Sequence, residues 1–251
     1  MIAVGKVDIG NRRAENQDRI FISNEPIGGL PNLYIVADGM GGHQSGEIAS
    51  EMSINSFCEY IMKYRDVNID TPENVTNLLV RGIKDANHIV FSTAKDNQKY
   101  KGMGTTFSVV TIINEVVYIS HIGDTRVYAM NERQILQLTT DHSLVQEMYE
   151  KGGLTKEETH NHPLGHIITR SLGTEERIKV DSFMCDLKNV DYILLCSDGL
   201  TNMLTDDDIL EIVYSEAETI SQIVDKLVDM ANIRGGNDNI AVILRRKSEV
   251  V

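Results

Sequence analysis

The chain has 251 residues, 41% of them hydrophobic, and a formal net charge of −13. That supplies enough apolar material for a large core, and the carboxylate excess repels phosphate backbones, which excludes a general DNA or RNA binder. No apolar run approaches the ~18 residues of a membrane span, and residues 1–10 lack the basic start and apolar stretch of a signal peptide, so a cytoplasmic protein is expected.

The first forty residues read as strands: Ile2 to Val7, Arg19 to Ser23 and Leu33 to Ala37. Two helices follow. In the first, Ile48, Ala49, Met52, Cys58, Tyr60, Ile61 and Tyr64 recur with helical spacing. The second opens at Thr71-Pro72, a capping hydroxyl with proline at the first position, and carries Val75, Leu78, Leu79, Ile83, Ala86, Ile89 and Val90 on one face. A meander of strands is expected next, Thr105 to Ile113, Val116 to His121, Arg126 to Met130 and Gln134 to Leu138, with hairpin-sized links at Asn114-Glu115 and Asn131-Glu132-Arg133. Residues 141–173 are polar and rich in His and Gly, an excursion from the sheets with one short helix over 143–150. Strands return at Ile178 to Met184 and Tyr192 to Cys196, then two helices and a last strand, Asn239 to Leu244. Thr205 before Asp206, Asp207 and Asp208 is a capped helix start with carboxylates on the positive end of the dipole, so that acidic run is structural. Leu204 and Ile209 fall at staple positions. Short links imply antiparallel pairing, and helix pairs in two separated blocks imply covered outer faces. The expected fold is α+β, two packed antiparallel sheets with helices on either side, in one domain over 1–251. Cys58, Cys185 and Cys196 are odd in number without CxxC spacing, and read as buried free thiols in a reducing compartment.

Five aspartates sit at the ends of apolar segments. Tyr34 to Ala37 stops at Asp38-Gly39, Tyr192 to Cys196 at Ser197-Asp198-Gly199, and Val116 to Ile122 at Gly123-Asp124. Asp18 precedes the second strand and Asp238 the last. One Asp-Gly alone is an ordinary turn. Five such ends spread over the chain indicate one converging acidic site. Carboxylates and backbone carbonyls suit Mg²⁺ or Mn²⁺ better than zinc, and two such ions can share and acidify a water for attack on phosphorus. A glycosidase is the rival, but it needs only two acids.

The ordered runs Arg13-Ala14-Glu15-Asn16-Gln17-Asp18, Asp38-Gly39-Met40-Gly41-Gly42-His43, Gly102-Met103-Gly104-Thr105-Thr106, Gly123-Asp124-Thr125-Arg126, Thr169-Arg170-Ser171-Leu172-Gly173, Ser197-Asp198-Gly199-Leu200 and Gly236-Asn237-Asp238-Asn239 resemble those of the type 2C metal-dependent protein serine/threonine phosphatases, the PPM family, in its compact bacterial form. The resemblance covers nearly the whole chain. It implies the family's four-layer α-β-β-α sandwich, with 141–173 as its flap. It implies two core ions, Mn²⁺ or Mg²⁺. Asp38 would bridge both, the Gly39 carbonyl would sit on one, and Asp198 and Asp238 would hold the other. Asp18 would hold a metal-bound water, and Arg13 would grip the substrate phosphate. Asp124 with Asp198 matches a third, weaker metal site; the rival for Gly123-Asp124-Thr125 is a plain hairpin turn. The nucleophile would be a bridging hydroxide.

Three departures stand out. Met40 occupies the position where animal members carry a histidine proposed as general acid, and that role does not pass to His43. Gln17 replaces a common glutamate. In the flap, Pro163 is followed by Leu164-Gly165-His166 where relatives often have arginine-asparagine. His160, His162 and His166 read as solvated or flap-packing residues rather than as a metal site. The expected function is a monomeric phosphatase that removes phosphate from serine and threonine in proteins and opposes a Ser/Thr kinase. The alternatives are a phosphatase dedicated to one phosphoserine regulator, an inactive binding module, which the complete acid set argues against, and a two-metal nuclease, which the charge argues against.

Overall fold

The computed structural model describes residues 2–42, 45–159, 162–215 and 219–247. Its strands are β1 (Ile2–Asp8), β2 (Asp18–Ser23), β3 (Leu33–Met40), β4 (Gly104–Thr105), β5 (Phe107–Ile113), β6 (Val116–Ile122), β7 (Arg126–Asn131), β8 (Gln134–Gln137), β9 (Asp181–Asp186), β10 (Tyr192–Cys196) and β11 (Ile240–Arg246). Its helices are α1 (Ser45–Lys63), α2 (Pro72–Asp96), α3 (Leu144–Glu150), α4 (Lys156–Thr159), α5 (Asp198–Thr201), α6 (Asp206–Val213) and α7 (Ile220–Ile233).

The strands form two antiparallel sheets, one ordered β1-β11-β10-β7-β8 and the other β2-β3-β5-β6-β9, with β4 paired to β3. Three apolar clusters mark the three interfaces of a four-layer sandwich. The alternation of β3 shows the logic. Leu33, Ile35 and Ala37 face α1 and α2 beside Phe57, Leu79 and Ile83. Tyr34 and Val36 point the other way, into the space between the sheets, against Val127, Ile193, Leu195 and Ile243. Leu194, Cys196, Val242 and Leu244 meet α5, α6 and α7 through Leu200, Ile209, Val224 and Leu227. Both faces of the central strands are covered, so they read as continuous apolar runs.

The helix starts are local chemistry. Thr71 accepts from the Asn74 N–H with Pro72 at the first position. Thr205 and Asp208 form a reciprocal capping box, and so do Thr219 and Gln222. Leu204 and Ile209 are both buried.

Three expectations need correction. The four middle strands are not one meander: β5 and β6 pair in one sheet and β7 and β8 in the other. Gly123–Thr125 is therefore a crossing between sheets and not a hairpin turn. Gly123 makes it with a φ of 113°. The expected strand from Thr105 to Ile113 is interrupted at Thr106, whose N–H and hydroxyl both bond the Asp38 backbone instead of a ladder neighbour. Of the thiols, Cys196 is buried but Cys58 and Cys185 are only half-buried. Among the described residues, no helix is long and apolar enough to cross a membrane.

Candidate active site

Antiparallel register brings the acidic strand ends to one end of the sandwich. Asp18 opens β2 directly opposite Asp38 in β3, Cys196 at the end of β10 pairs with both Arg126 and Val242, and Asp8 at the end of β1 pairs with Ile240. Asp18, Asp38, Asp124, Asp198 and Asp238 thus meet around the three loops that follow β1, β6 and β10.

Hydrogen bonds fix four of them. Asp18 is wholly buried, and its Oδ2 accepts from Ser197 Oγ at 2.6 Å. That hydroxyl in turn accepts from the Ala241 N–H at 2.8 Å, so one serine ties the two sheets together under the acids. The Asp38 backbone is locked by Thr105 and Thr106: its N–H donates to Thr106 Oγ1 and its carbonyl accepts from Thr105 Oγ1, both at 2.9 Å. The Asp38 carboxyl lies within reach of the charges of Asp18, Asp198, Asp124 and Asp238. Asp198 Oδ2 accepts from Asn202 Nδ2 at 3.0 Å. Asp238 Oδ1 accepts from the Asn239 N–H at 2.8 Å, and its Oδ2 accepts from Arg13 Nη2 at 2.6 Å.

The two Asp-Gly pairs share one reason for glycine. A Cβ built on Gly39 would lie 2.1 Å from the Gly46 carbonyl oxygen, and one built on Gly199 would lie 1.9 Å from that of Asn239. In each case a second backbone presses against the residue after the acid. That close approach seats α1 against the end of β3 and α5 against the start of β11.

The charges are out of balance. Burial, with neighbouring carboxylates adding to it, raises Asp18 to about 7 and Asp198 to about 6, and pushes Asp38 and Asp124 well above the ordinary carboxylate range. Oδ1 of Asp18, Asp124 and Asp198 is buried with no hydrogen-bond partner among the described residues. Native structures rarely leave such acceptors orphaned. Three orphaned anionic oxygens in one cluster fit divalent cations. Among the described residues, no three His, Cys, Asp or Glu side chains are grouped tightly enough to cage an ion by themselves. An open acidic cluster suits Mg²⁺ or Mn²⁺, which take one or two carboxylates and keep several waters.

Residues 10–245 match the family model described as Protein phosphatase 2C. The chain belongs to the protein phosphatase 2C family. It is 38% identical over 242 residues, 96% of each chain, to the protein phosphatase PhpP of Streptococcus pneumoniae. It is 36% identical over 249 residues to the serine/threonine phosphatase stp of Listeria monocytogenes, covering 97% of this chain and 95% of that one. The crystal structure of the serine/threonine phosphatase Stp1 from Staphylococcus aureus superposes with a TM-score of 0.91 at 34% identity, covering 98% of this chain and 95% of that one. Metal dependence is a property of the protein phosphatase 2C family.

Arg13, Asp18, Asp38, Gly39, Asp124, Asp198 and Asp238, the candidate site residues of the sequence, all lie at this end of this phosphatase 2C chain. Arg13, on the exposed loop after β1, reaches back to Asp238. Asp124 is 6% exposed at the crossing between sheets. A cleft of about 350 Å³ runs from Asp124, Asp198 and Asp238 to His162 and His166 in segment 141–173. His160 and His43 lie outside the described residues. Segment 141–173 is closed at its root: Leu144 N–H bonds the Ile167 carbonyl at 2.8 Å, and Thr169 N–H bonds that of His142 at 2.7 Å. His142 Nδ1 accepts from the Gly123 N–H at 3.0 Å and its Nε2 meets Asp181 at 3.2 Å, so burial keeps it neutral, lowered to about 4. Sequence reasoning gave no role to Ser197, Thr106, Asn202 or Asn239. Ser197 and Asn239 each adjoin a motif aspartate in the chain, which was the available signal; Thr106 and Asn202 do not.

Proposed function

We infer that this phosphatase 2C member hydrolyses phosphoserine and phosphothreonine in proteins with the help of two divalent cations, Mn²⁺ or Mg²⁺, and opposes a cytoplasmic Ser/Thr kinase. The observation that carries the reading is the cluster of buried, unpartnered carboxylate oxygens drawn from both sheets, with one arginine at its rim. In this reading Asp38, the Gly39 carbonyl, Asp198 and Asp238 would hold the two core ions, and Asp124 with Asp198 would hold a third and weaker one. When bound, such ions acidify a water and screen the charge that develops on the phosphoryl oxygens.

The chain's own residues do the rest. Arg13 spends one nitrogen on Asp238, the single bond it makes among the described residues, which leaves donors for phosphate oxygens in the planar fork that lysine lacks. Asp18, held by Ser197, accepts a proton or a water hydrogen bond from inside the cluster. Ser197, Thr105 and Thr106 keep the acids from following their mutual repulsion outward. Met40 offers no proton, so the serine or threonine leaving group is protonated from solvent in the cleft. Residues 141–173 form the flap of a single catalytic domain over 1–251 and supply the wall over which a phosphoprotein lies. The phosphoprotein chemistry of the named relatives and the free thiols support this placement.

Release of inorganic phosphate from a phosphoserine peptide, with and without Mn²⁺, tests it. Mn²⁺-dependent release is expected. No release from any phosphopeptide or phosphoprotein under saturating metal, with ions bound by calorimetry, would make the chain a binding module.

A further inference from the structure

Arg13 sits on an exposed loop. Residues 11–15 are five consecutive exposed positions, and the loop crosses from one sheet to the other. Its position comes from hydrogen bonds, and one buried amide supplies three of them, on both sides of Arg13. Asn239 is 5% exposed. Its Oδ1 accepts from the Gln17 N–H at 2.9 Å, and its Nδ2 donates to the Ile9 and Glu15 carbonyls, both at 2.9 Å. Both amide hydrogens and the carbonyl oxygen are therefore used on one loop, at points before and after Arg13.

The Asn239 backbone N–H bonds Asp238 Oδ1, and Arg13 bonds Asp238 Oδ2, which closes a ring from Asp238 through Asn239 and the loop to Arg13 and back. A second anchor lies next to it. Asn11 N–H bonds the Gly236 carbonyl at 2.7 Å, and Asn11 Nδ2 bonds that of Asn232 at 2.7 Å. Gly10, with a φ of 75°, lets the loop pass where a Cβ would lie 2.2 Å from the Asp238 carbonyl oxygen.

We propose that Asn239 is a positioning residue that clamps loop 9–17 and thereby sets Arg13 at the rim of the acidic cluster to receive the substrate phosphoryl group. This rests on the phosphatase reading above. No other residue type of that size carries two donors and an acceptor. Aspartate would lose both donors and face two carbonyl oxygens with a charge; alanine would release the loop at Ile9, Glu15 and Gln17.

The test compares Asn239→Ala, Asn11→Ala, Arg13→Lys and the Asn239→Ala/Arg13→Lys double variant in the full chain. Three quantities are read: hydrogen exchange of residues 9–17 without metal, inhibition by inorganic phosphate with Mn²⁺, and melting temperature. Expected for Asn239→Ala are faster exchange at Gln17 and its neighbours, and a KM for phosphopeptide and a phosphate inhibition constant each raised about tenfold, with kcat within threefold, the scale of two lost neutral hydrogen bonds. Asn11→Ala should move the same quantities less. The double variant should be no worse than the poorer single, because both act on one grip. Unchanged exchange overturns the clamp. Faster exchange with an unchanged phosphate constant, or a loss of Mn²⁺ affinity alone, overturns the link to Arg13. If Asn239→Ala does not fold, Asn11→Ala decides by the same criteria. Failure of the phosphatase reading is separate: wild type would then release no phosphate, and exchange together with phosphate binding by calorimetry would still decide the clamp.

Discussion

The two ends of the sandwich use the same residue types to opposite effect. At the end away from the cluster, polar side chains satisfy their own turns. Asn131 Oδ1 accepts from the Arg133 and Gln134 N–H groups, and Asp186 Oδ1 accepts from the Lys188 N–H at 2.7 Å. Asn114 and Glu115 carry φ values of 49° and 63°, the primed turn that matches strand twist. At the acidic end, aspartates in equivalent loop positions keep orphaned oxygens and raised pKa values. An aspartate at a strand end is a turn residue when exposed and locally bonded. It becomes a binding group when several are buried together and the turn is held by other residues, here Ser197, Thr106 and Asn239.

The sharpest way to break this contrast is to remove the cations. Activity should be abolished by EDTA and restored by Mn²⁺ or Mg²⁺; full turnover after chelation would end the metal reading. Next, Asp38→Asn, Asp198→Asn and Asp238→Asn should each lower turnover by at least about 100-fold, roughly 2.7 kcal/mol of barrier, while Asp186→Asn at the other end leaves kinetics unchanged. Near-normal rates in any of the three would remove that residue from the core. Asp124→Ala should cut turnover about tenfold while calorimetry still finds two tight Mn²⁺ sites, on the order of 1.4 kcal/mol of barrier; normal turnover would return Asp124 to the role of a turn residue. Arg13→Lys should raise the phosphopeptide KM by a similar factor without changing Mn²⁺ affinity, and an unchanged KM would count against a phosphate grip.

The smallest effect is on stability. Asp18 is raised in the fold to about 7, so it holds its proton where the unfolded chain has released it. The metal-free fold is then undisturbed by Asp18 below the unfolded carboxylate range, and loses stability as pH rises from about 4 to about 7. Asparagine cannot ionise and keeps an acceptor for Ser197. The melting temperature of metal-free Asp18→Asn should therefore pull ahead of wild type across that window, by on the order of 5 °C, and the gap should shrink with Mn²⁺. A pH-independent gap would show that Asp18 is not the strained group. Taking the difference between variants also cancels His121 and His142, whose burial lowers them to about 3 and about 4 and shifts stability in the opposite sense.

The layers and most elements were legible because strand ends, caps and helical stripes are local signals: Thr71-Pro72, Thr205 with Asp208, the run Tyr34 to Ala37. What was not legible is pairing at a distance. Nothing local distinguishes Gly123-Asp124-Thr125 as a crossing between sheets from a hairpin, since both need a glycine and a short polar turn. Helix α5 has four residues and no periodicity to read. The acids were found because each stops an apolar run. Their supports were not, because Asn239 and Ser197 act on loops some 200 residues away in the chain, Asn239 on Gln17 and Ser197 on Asp18.

The pairing of β1 with β11 carries one more consequence. Ile2 stands opposite Arg246, and Asp8 opposite Ile240, so the two outermost strands of the chain enter and leave side by side at the end remote from the acids. Seven residues of strand put about 20 Å between that doorway and the cluster. A tether, a tag or a neighbouring module joined ahead of Ile2 or beyond Arg246 hangs from the back of the enzyme while its mouth faces outward. A short linker between the two ends should also allow the ring to be opened elsewhere, at the Asn114-Glu115 turn for instance, with the catalytic face left whole.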